Sequence, residues 1–171
     1  MRPPTKAGLS ALSWVIFWTA AALLAAASAQ APERASFGDW QLRCDRTAAA
    51  EEQCAITQRV AAEDRGGVWM DAYLFKPPEN REAFILSILV PLQVILTKRL
   101  GVRVDGADIA WFDFRSCSQE GCVAPIALDD GLRAAMIAGT EALFIFFFDE
   151  DVGVGVPLSL VGLSAGLAAL P

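Results

Sequence analysis

Alternation of apolar and polar positions organises this chain. From Trp40 to Asp45, Trp40, Leu42 and Cys44 fall on one face and Gln41, Arg43 and Asp45 on the other. That two-residue period marks a half-buried strand. It resumes over Cys54 to Val60, with Cys54, Ile56 and Gln58 opposed to Ala55, Thr57 and Arg59. Arg46 to Gln53 between them reads as a loop with local helical propensity in its Ala-Glu run, so Phe37 to Gln58 reads as a β-hairpin. A charged stretch from Ala61 ends in the turn signal Gly66-Gly67. Val68 to Lys76 is a third strand: Val68, Met70, Ala72 and Leu74 form one face, and Trp69, Tyr73 and Phe75 form much of the other. Pro77 to Asn80 closes it as a turn, since proline cannot donate to a ladder.

The same reading continues to the C-terminus. Ala83 to Val90 is a strand ended by Pro91, and Gln93 to Thr97 is expected to be a second extended piece. The unbroken apolarity of this stretch is that of a central strand covered on both faces. Val102 to Val104 is a short strand ended by Asp105-Gly106, a tight-turn dipeptide. Ile109 to Phe114 and Val123 to Leu128 follow, the latter with edge character because of Pro125. Asp129 to Gly139 carries the helical period, with an aspartate to cap it and a glycine to end it. Ala142 to Phe148 is a buried strand. Val152 to Leu163 is a strand pair or one long bent strand, and Ser164 to Leu170 forms a short helix capped by Ser164. Gln30 to Ser36 is expected to be a mobile polar leader. Roughly eight strands with turns every 8 to 12 residues or so predict a mainly β chain. The fold expected is an antiparallel β-sandwich or barrel-like domain with one or two short helices.

The N-terminus changes that picture. Arg2 and Lys6 precede an apolar run from Ala7 to Ala27 that ends in Ala27-Ser28-Ala29. A basic start, an apolar run and a small-x-small site in order predict a signal peptide over residues 1–29. One domain then spans 30–171, exported to the periplasm or secreted. The alternative is a retained anchor, because the run is long enough to span a bilayer. The membrane then enters only through this segment.

Charge and composition narrow the function. The chain holds 14 basic and 20 acidic residues and no histidine. Both basic residues of the leader leave with it, so the remainder is still more acidic. That argues against a nucleic-acid partner, which needs a basic face. Without histidine there is no Ser-His or Cys-His nucleophile pair, no histidine general base and none of the usual catalytic zinc sets.

Four cysteines, Cys44, Cys54, Cys117 and Cys122, all follow the leader. An even count in an exported chain reads as two disulfides. Of three connectivities, Cys44–Cys54 with Cys117–Cys122 is favoured, because each pair brackets a short polar turn. On the loop-entropy account they contribute roughly 2.5 and roughly 2 kcal/mol. C-x9-C with C-x4-C has the wrong spacing for paired zinc knuckles, and C-x4-C is not the C-x-x-C of a dithiol oxidoreductase.

No other stretch announces chemistry. The acidic pairs Glu51-Glu52, Glu63-Asp64 and Asp129-Asp130 and the triplet Asp149 to Asp151 read as solvated charge. A glycosidase needs two carboxylates facing each other about 5 to 10 Å apart, which sequence does not place. The triplet lacks the D-x-D-x-D spacing of a calcium loop, and the glycine-rich stretches lack the context of phosphate loops. Neither a metal nor a cofactor is expected. Among the aromatics, Trp40, Trp69, Tyr73, Trp111, Phe112 and Phe114, most are expected in the core. Trp69, Tyr73 and Phe75 are the exception, a possible binding face lying opposite an apolar one.

Several segments in order carry a family resemblance: FGDWQLRC at 37–44, CAITQ at 54–58, the apolar segment with Pro91 running into LGVRVDG at 100–106, the C-x4-C at 117–122, the Leu/Met helix followed by Gly139, and VPLSLVGLSAGLAAL at 156–170. Over nearly the whole exported part, this set resembles the invasion associated locus B (IalB) family of bacterial proteins. Two positions depart from it. Gln93 stands where the family tends to carry glycine, and Leu163 follows Gly162 where the family tends to carry an aromatic. The resemblance implies a periplasmic or surface-associated β-rich protein, with host-cell invasion linked to some members, and no catalytic residues to transfer. The expectation is a non-enzymatic interaction protein with a protein partner in the envelope or on a host surface. A module binding a small ligand or sugar through the Trp69/Tyr73 face, and a carboxylate-based hydrolase, are the alternatives.

Overall fold

The computed structural model describes residues 33–46, 52–62 and 67–171. The predicted signal segment lies outside these residues, as do most of the loop after Arg46 and the charged stretch before Gly67. Eleven strands are present among the described residues: β1 (Glu33–Phe37), β2 (Trp40–Arg46), β3 (Glu52–Ala62), β4 (Val68–Phe75), β5 (Ile85–Val90), β6 (Leu100–Val104), β7 (Ala107–Phe112), β8 (Ser116–Ser118), β9 (Gly121–Ala127), β10 (Glu141–Phe147) and β11 (Gly153–Ser159). Two helices, α1 (Asp130–Ala138) and α2 (Leu163–Ala169), complete the chain. A seven-stranded sheet in the order β1-β2-β3-β4-β5-β9-β8 packs on a four-stranded sheet in the order β11-β10-β6-β7. Every pairing is antiparallel. The fold is therefore a β-sandwich, not a closed barrel.

The predicted alternation sorts the chain correctly. Trp40, Ile56, Met70, Leu74, Leu86, Ile88 and Ile126 from the larger sheet pack against Leu100, Phe144, Phe146 and Leu158 from the smaller, all fully buried. Both disulfides close as expected, and each joins residues directly opposite across a hairpin: Cys44 with Cys54 on β2 and β3, Cys117 with Cys122 on β8 and β9. Asp129 caps α1 by accepting the Leu132 N–H at 2.7 Å. Pro125 sits inside β9 without breaking the sheet, because β8 pairs only with residues 121–123 and leaves the flank at Pro125 open.

Three local expectations are corrected. Of the leader expected to be mobile from Gln30 to Ser36, residues 30–32 lie outside the described residues, and Glu33 to Ser36 instead belong to strand β1, because the turn at Gly38-Asp39 folds them back on β2 and Phe37 packs on the core. The extended piece expected at Gln93 to Thr97 is a turn with φ 75° at Gln93, followed by a single 3-10 turn, Leu96–Lys98. Glutamine thus takes a left-handed conformation in which glycine would be unstrained. α2 is capped not by Ser164 but by Gly162 at φ 88°, whose backbone lies against that of Phe37. A Cβ there would stand 2.0 Å from the Phe37 carbonyl oxygen, so only glycine fits.

One polar residue on the buried row ties the sheets together. Gln58 is 8% exposed and faces Ser159 at the free edge of β11. Its amide donates to the Ser159 carbonyl at 3.1 Å and accepts the Ser159 N–H at 3.0 Å. The same carbonyl accepts the Trp40 indole N–H at 3.1 Å. The Asp39 N–H reaches the Val161 carbonyl at 3.2 Å. A side-chain amide thus serves as one residue of a strand, satisfying an edge that the sandwich partly buries.

A second polar tie sits at the β6–β7 turn. Asp105, at φ 47°, accepts hydrogen bonds from the Glu141 N–H at 3.0 Å, the Thr140 hydroxyl at 2.9 Å and the Thr140 N–H at 3.1 Å. The Glu141 backbone bond, then those of Thr140, hold its carboxyl below the usual carboxylate range.

Two predictions follow from these ties. Gln58→Leu keeps the side-chain volume but orphans the Ser159 N–H, and is expected to lower stability by about 2 to 3 kcal/mol with an unchanged denaturant slope. Urea titration followed by tryptophan fluorescence measures both. Because the Asp105 pKa is depressed in the folded state, its contribution is present above the ordinary carboxylate pKa and fades as pH falls through the folded value. The gap in Tm between the native chain and Asp105→Asn should therefore be full at neutral pH and close in acid. A gap unchanged across that range would show that the charge is not what stabilises the turn.

Candidate functional site

The outer face of the larger sheet carries a groove of about 440 Å³ over β2, β3 and β4. Side-chain size along three strands creates it. Ala55 and Thr57 on the central β3 are small. Register places Arg43 opposite Ala55 and Gln41 opposite Thr57 on one side, and Phe75 and Tyr73 opposite them on the other. The long neighbours stand as walls over a low floor. Asp45 and Gln53 close one end, and Arg59 and Asp71 close the other.

The Arg59 end is the most ordered part. Asp71, only 4% exposed, accepts from Arg59 Nε and Nη2, both at 2.5 Å. Arg59 itself keeps a 72% exposed side chain and lies over the Trp69 ring at 5.6 Å. The guanidinium is thus held by a carboxylate and an aromatic ring. The Asp71 hydrogen bond, and then its charge, raise the Arg59 pKa above its ordinary value. Tyr73, 37% exposed, donates a longer hydrogen bond of 3.4 Å to Asp71. Burial of its phenol, then the Asp71 charge, push its pKa up. On the opposite wall, Arg43 donates to the Gln41 side-chain oxygen at 2.7 Å.

The residues expected from sequence divide. Trp69, Tyr73 and Phe75 do share the outer face, but only Tyr73 lines the groove. Trp69 backs Arg59, and Phe75 is half-buried beside Ala55. The other aromatics do not join them. Trp40 is core, and Phe112 and Phe114 pack against the core. Trp111 is 45% exposed on the smaller sheet, where it stacks on Phe147 at 6.4 Å between ring centres. Cys44, Cys54, Cys117 and Cys122 are all spent in disulfides. Among the described residues, the one close grouping of metal-type ligands is Cys44, Glu52 and Cys54, and a disulfide offers no thiolate to a metal. Asp149 accepts the N–H groups of Asp151 and Val152, which accounts for it as a turn residue.

Nothing in the sequence alone marks Gln41, Arg43, Gln53, Thr57, Arg59 and Asp71 as site residues; alternation places Gln41, Arg43, Thr57 and Arg59 on the outward rows of their strands. Their convergence depends on cross-strand register, and alternation within one strand does not report register.

Comparison with known proteins agrees with this architecture. The family profile described as "Invasion associated locus B (IalB) protein" matches residues 40–171. The solved structure of invasion associated protein b from Bartonella henselae superposes with a TM-score of 0.65 at 19% identity. The match covers 78% of this chain and 91% of that one. No curated protein matches the chain.

The ion pair at the groove end predicts an asymmetry. Arg59→Ala strands a nearly buried carboxylate and is expected to cost about 2 to 3 kcal/mol. Asp71→Ala leaves an arginine already open to water and should cost only about 1 kcal/mol. Chemical denaturation of both variants decides the order; equal or reversed losses would contradict the geometry.

Proposed function

We propose that this chain, which belongs to the invasion associated locus B (IalB) family, works as an exported, non-enzymatic interaction protein of the periplasm, cell envelope or secreted fraction. The observation that carries the reading is the open outer face of the larger sheet, a polar and aromatic groove on a rigid, doubly cross-linked sandwich. Two disulfides fit an oxidising compartment. No helix among the described residues is long and apolar enough to cross a membrane. The leader read from Met1 to Ala29 supplies the export route.

The non-enzymatic part rests on the chemistry available. The chain has no histidine. The two groove carboxylates, Asp45 and Asp71, sit opposite Gln53 and Arg59 on β3. Six residues of strand separate those partners by about 20 Å, twice the widest spacing of a glycosidase pair. Contact with host cells belongs to the reading only through the family's name and that of the Bartonella relative. A binding module for a small polar ligand is the second reading, favoured by the groove itself.

The test has two parts. N-terminal sequencing of the exported protein is expected to begin at Gln30. Immobilised protein is expected to retain a specific component from envelope or host-surface fractions, with retention lost in a Trp69→Ala/Tyr73→Ala double variant. A chain that stays whole and inside the cell, or whose double variant retains the same component, would overturn the reading.

A further inference from the structure

We infer that the groove takes a neutral, polyhydroxylated ligand, a saccharide chain without acidic or basic groups. The inference rests on the reading that the outer face is the binding surface, and it names what that surface selects.

Charge balance comes first. Arg43 and Arg59 stand against Asp45 and Asp71 in the groove lining, two of each sign. The best-ordered charges are already engaged with each other, since Asp71 takes two hydrogen bonds from Arg59. An anion approaching Arg59 meets the Asp71 carboxylate within bonding distance of the same guanidinium. A cation approaching Asp71 meets Arg59. Neither meets an unbalanced charge: an anion reaching the open Nη1 side of Arg59 faces a guanidinium already neutralised by Asp71, and a cation must displace Arg59 from a carboxylate almost shielded from water. An apolar ligand fares no better, because it would cover the hydrogen-bonding capacity of Gln41, Gln53 and Thr57 that their protein partners leave unsatisfied.

Hydroxyl groups satisfy this lining without displacing charge. Each both donates and accepts, so neighbouring hydroxyls match planar groups that offer two hydrogen-bonding atoms side by side. Gln41, Gln53 and Arg59 are such groups with capacity left over: Gln41 Oε1 takes one hydrogen bond from Arg43, Gln53 Nε2 gives one to the Lys76 carbonyl at 3.0 Å, and Arg59 spends Nε and Nη2 on Asp71 and leaves its Nη1 side open. Thr57, whose hydroxyl donates to the Gln41 carbonyl at 3.4 Å, can still accept on the floor. Arg59 is fixed by Asp71 and Trp69 before any ligand arrives, which lowers the ordering cost of binding. The exposed Tyr73 ring supplies an apolar face for the C–H groups of a sugar ring. The groove runs along β3 from Gln53 to Arg59, about 20 Å, so an extended chain suits it better than one ring.

The experiment titrates the exported form of the protein with maltotriose, cellotriose and chitotriose. Trigalacturonate and the glucosamine trimer serve as acidic and basic counterparts, and backbone amide shifts are followed by NMR. At least one neutral trimer is expected to shift the amides of residues 41–45, 53–59 and 71–73. Charged trimers should bind about tenfold more weakly or worse. Tyr73→Ala, and Gln53→Ala, which also gives up the hydrogen bond to the Lys76 carbonyl, should each weaken the neutral trimer by about tenfold. Arg59→Lys keeps the charge but not the fork, and should do the same. A charged trimer that binds as tightly as the neutral ones overturns the inference. So does the failure of every neutral trimer to shift these amides at tens of millimolar, roughly the weakest range a small ligand occupies. If such a chain still retains its envelope or host-surface component, the interaction reading stands and only the ligand class falls; if it retains nothing, both fall.

Discussion

The Gln58 amide lies flat against the edge of β11 and exchanges two hydrogen bonds with Ser159. A sandwich of two open sheets has edges, and an edge partly covered by the other sheet must be satisfied or it costs hydrogen bonds. Here the larger sheet lends one side chain to complete the smaller. Trp40 adds its indole N–H to the same carbonyl, and Asp39 reaches Val161 two residues on. Because these contacts start from β2 and β3, they set the position of the smaller sheet against the strands that carry the groove. The tight backbone crossing of Gly38 and Gly162 lies at the same corner.

The outer face inherits its rigidity from this arrangement. Cys44–Cys54 fixes β2 to β3 beside the groove, and the core pins the inward rows of β3 and β4. The outward rows are then free to be chosen for shape and polarity. Small residues on the middle strand and large ones on its neighbours make a trough without any loop being needed. A trough built on strands holds its side chains more accurately than one built on loops, because each Cα position is set by a ladder. The Arg59–Asp71–Trp69 arrangement uses this, since its members come from adjacent strands at successive registers.

The smaller sheet presents a different surface. Trp111 stacks on Phe147, and Lys98 lies over the same ring at 5.9 Å. Three ion pairs flank this area, Lys98–Glu150, Arg99–Asp113 and Arg103–Asp108. All are exposed and individually weak. They place charge at the edge strand β7 and beside the exposed aromatic, a common means of discouraging unwanted strand pairing.

Much of the architecture was legible because period-two alternation is a local signal. Trp40, Leu42, Cys44, Ile56, Met70 and Leu74 were assigned to the buried face from their spacing, and all are buried. The disulfide pairing was legible for the same reason, since each pair brackets one turn. Asp129 was legible as a cap because capping is also local. The Gln93 turn and the Gly162 cap were not, since each leans on a partner distant in sequence: the Ile95 N–H on the Phe147 carbonyl at 2.7 Å, and Gly162 on the backbone of Phe37. Strand β1 was missed although its return to β2 across Gly38 is local, because its polar residues carry little alternation. Alternation placed Gln58 on the buried row without explaining a polar residue there, and the reason stands 101 residues away at Ser159. Trp69, Tyr73 and Phe75 were correctly set on one outward row, yet only register across three strands shows that Tyr73 alone joins Gln41, Thr57 and Arg59 in a groove. By itself the sequence determined which faces turn inward, favoured one pairing of the cysteines and excluded histidine chemistry. Tertiary structure decided which outward residues meet, because side-chain period is a property of one strand and register is a property of two.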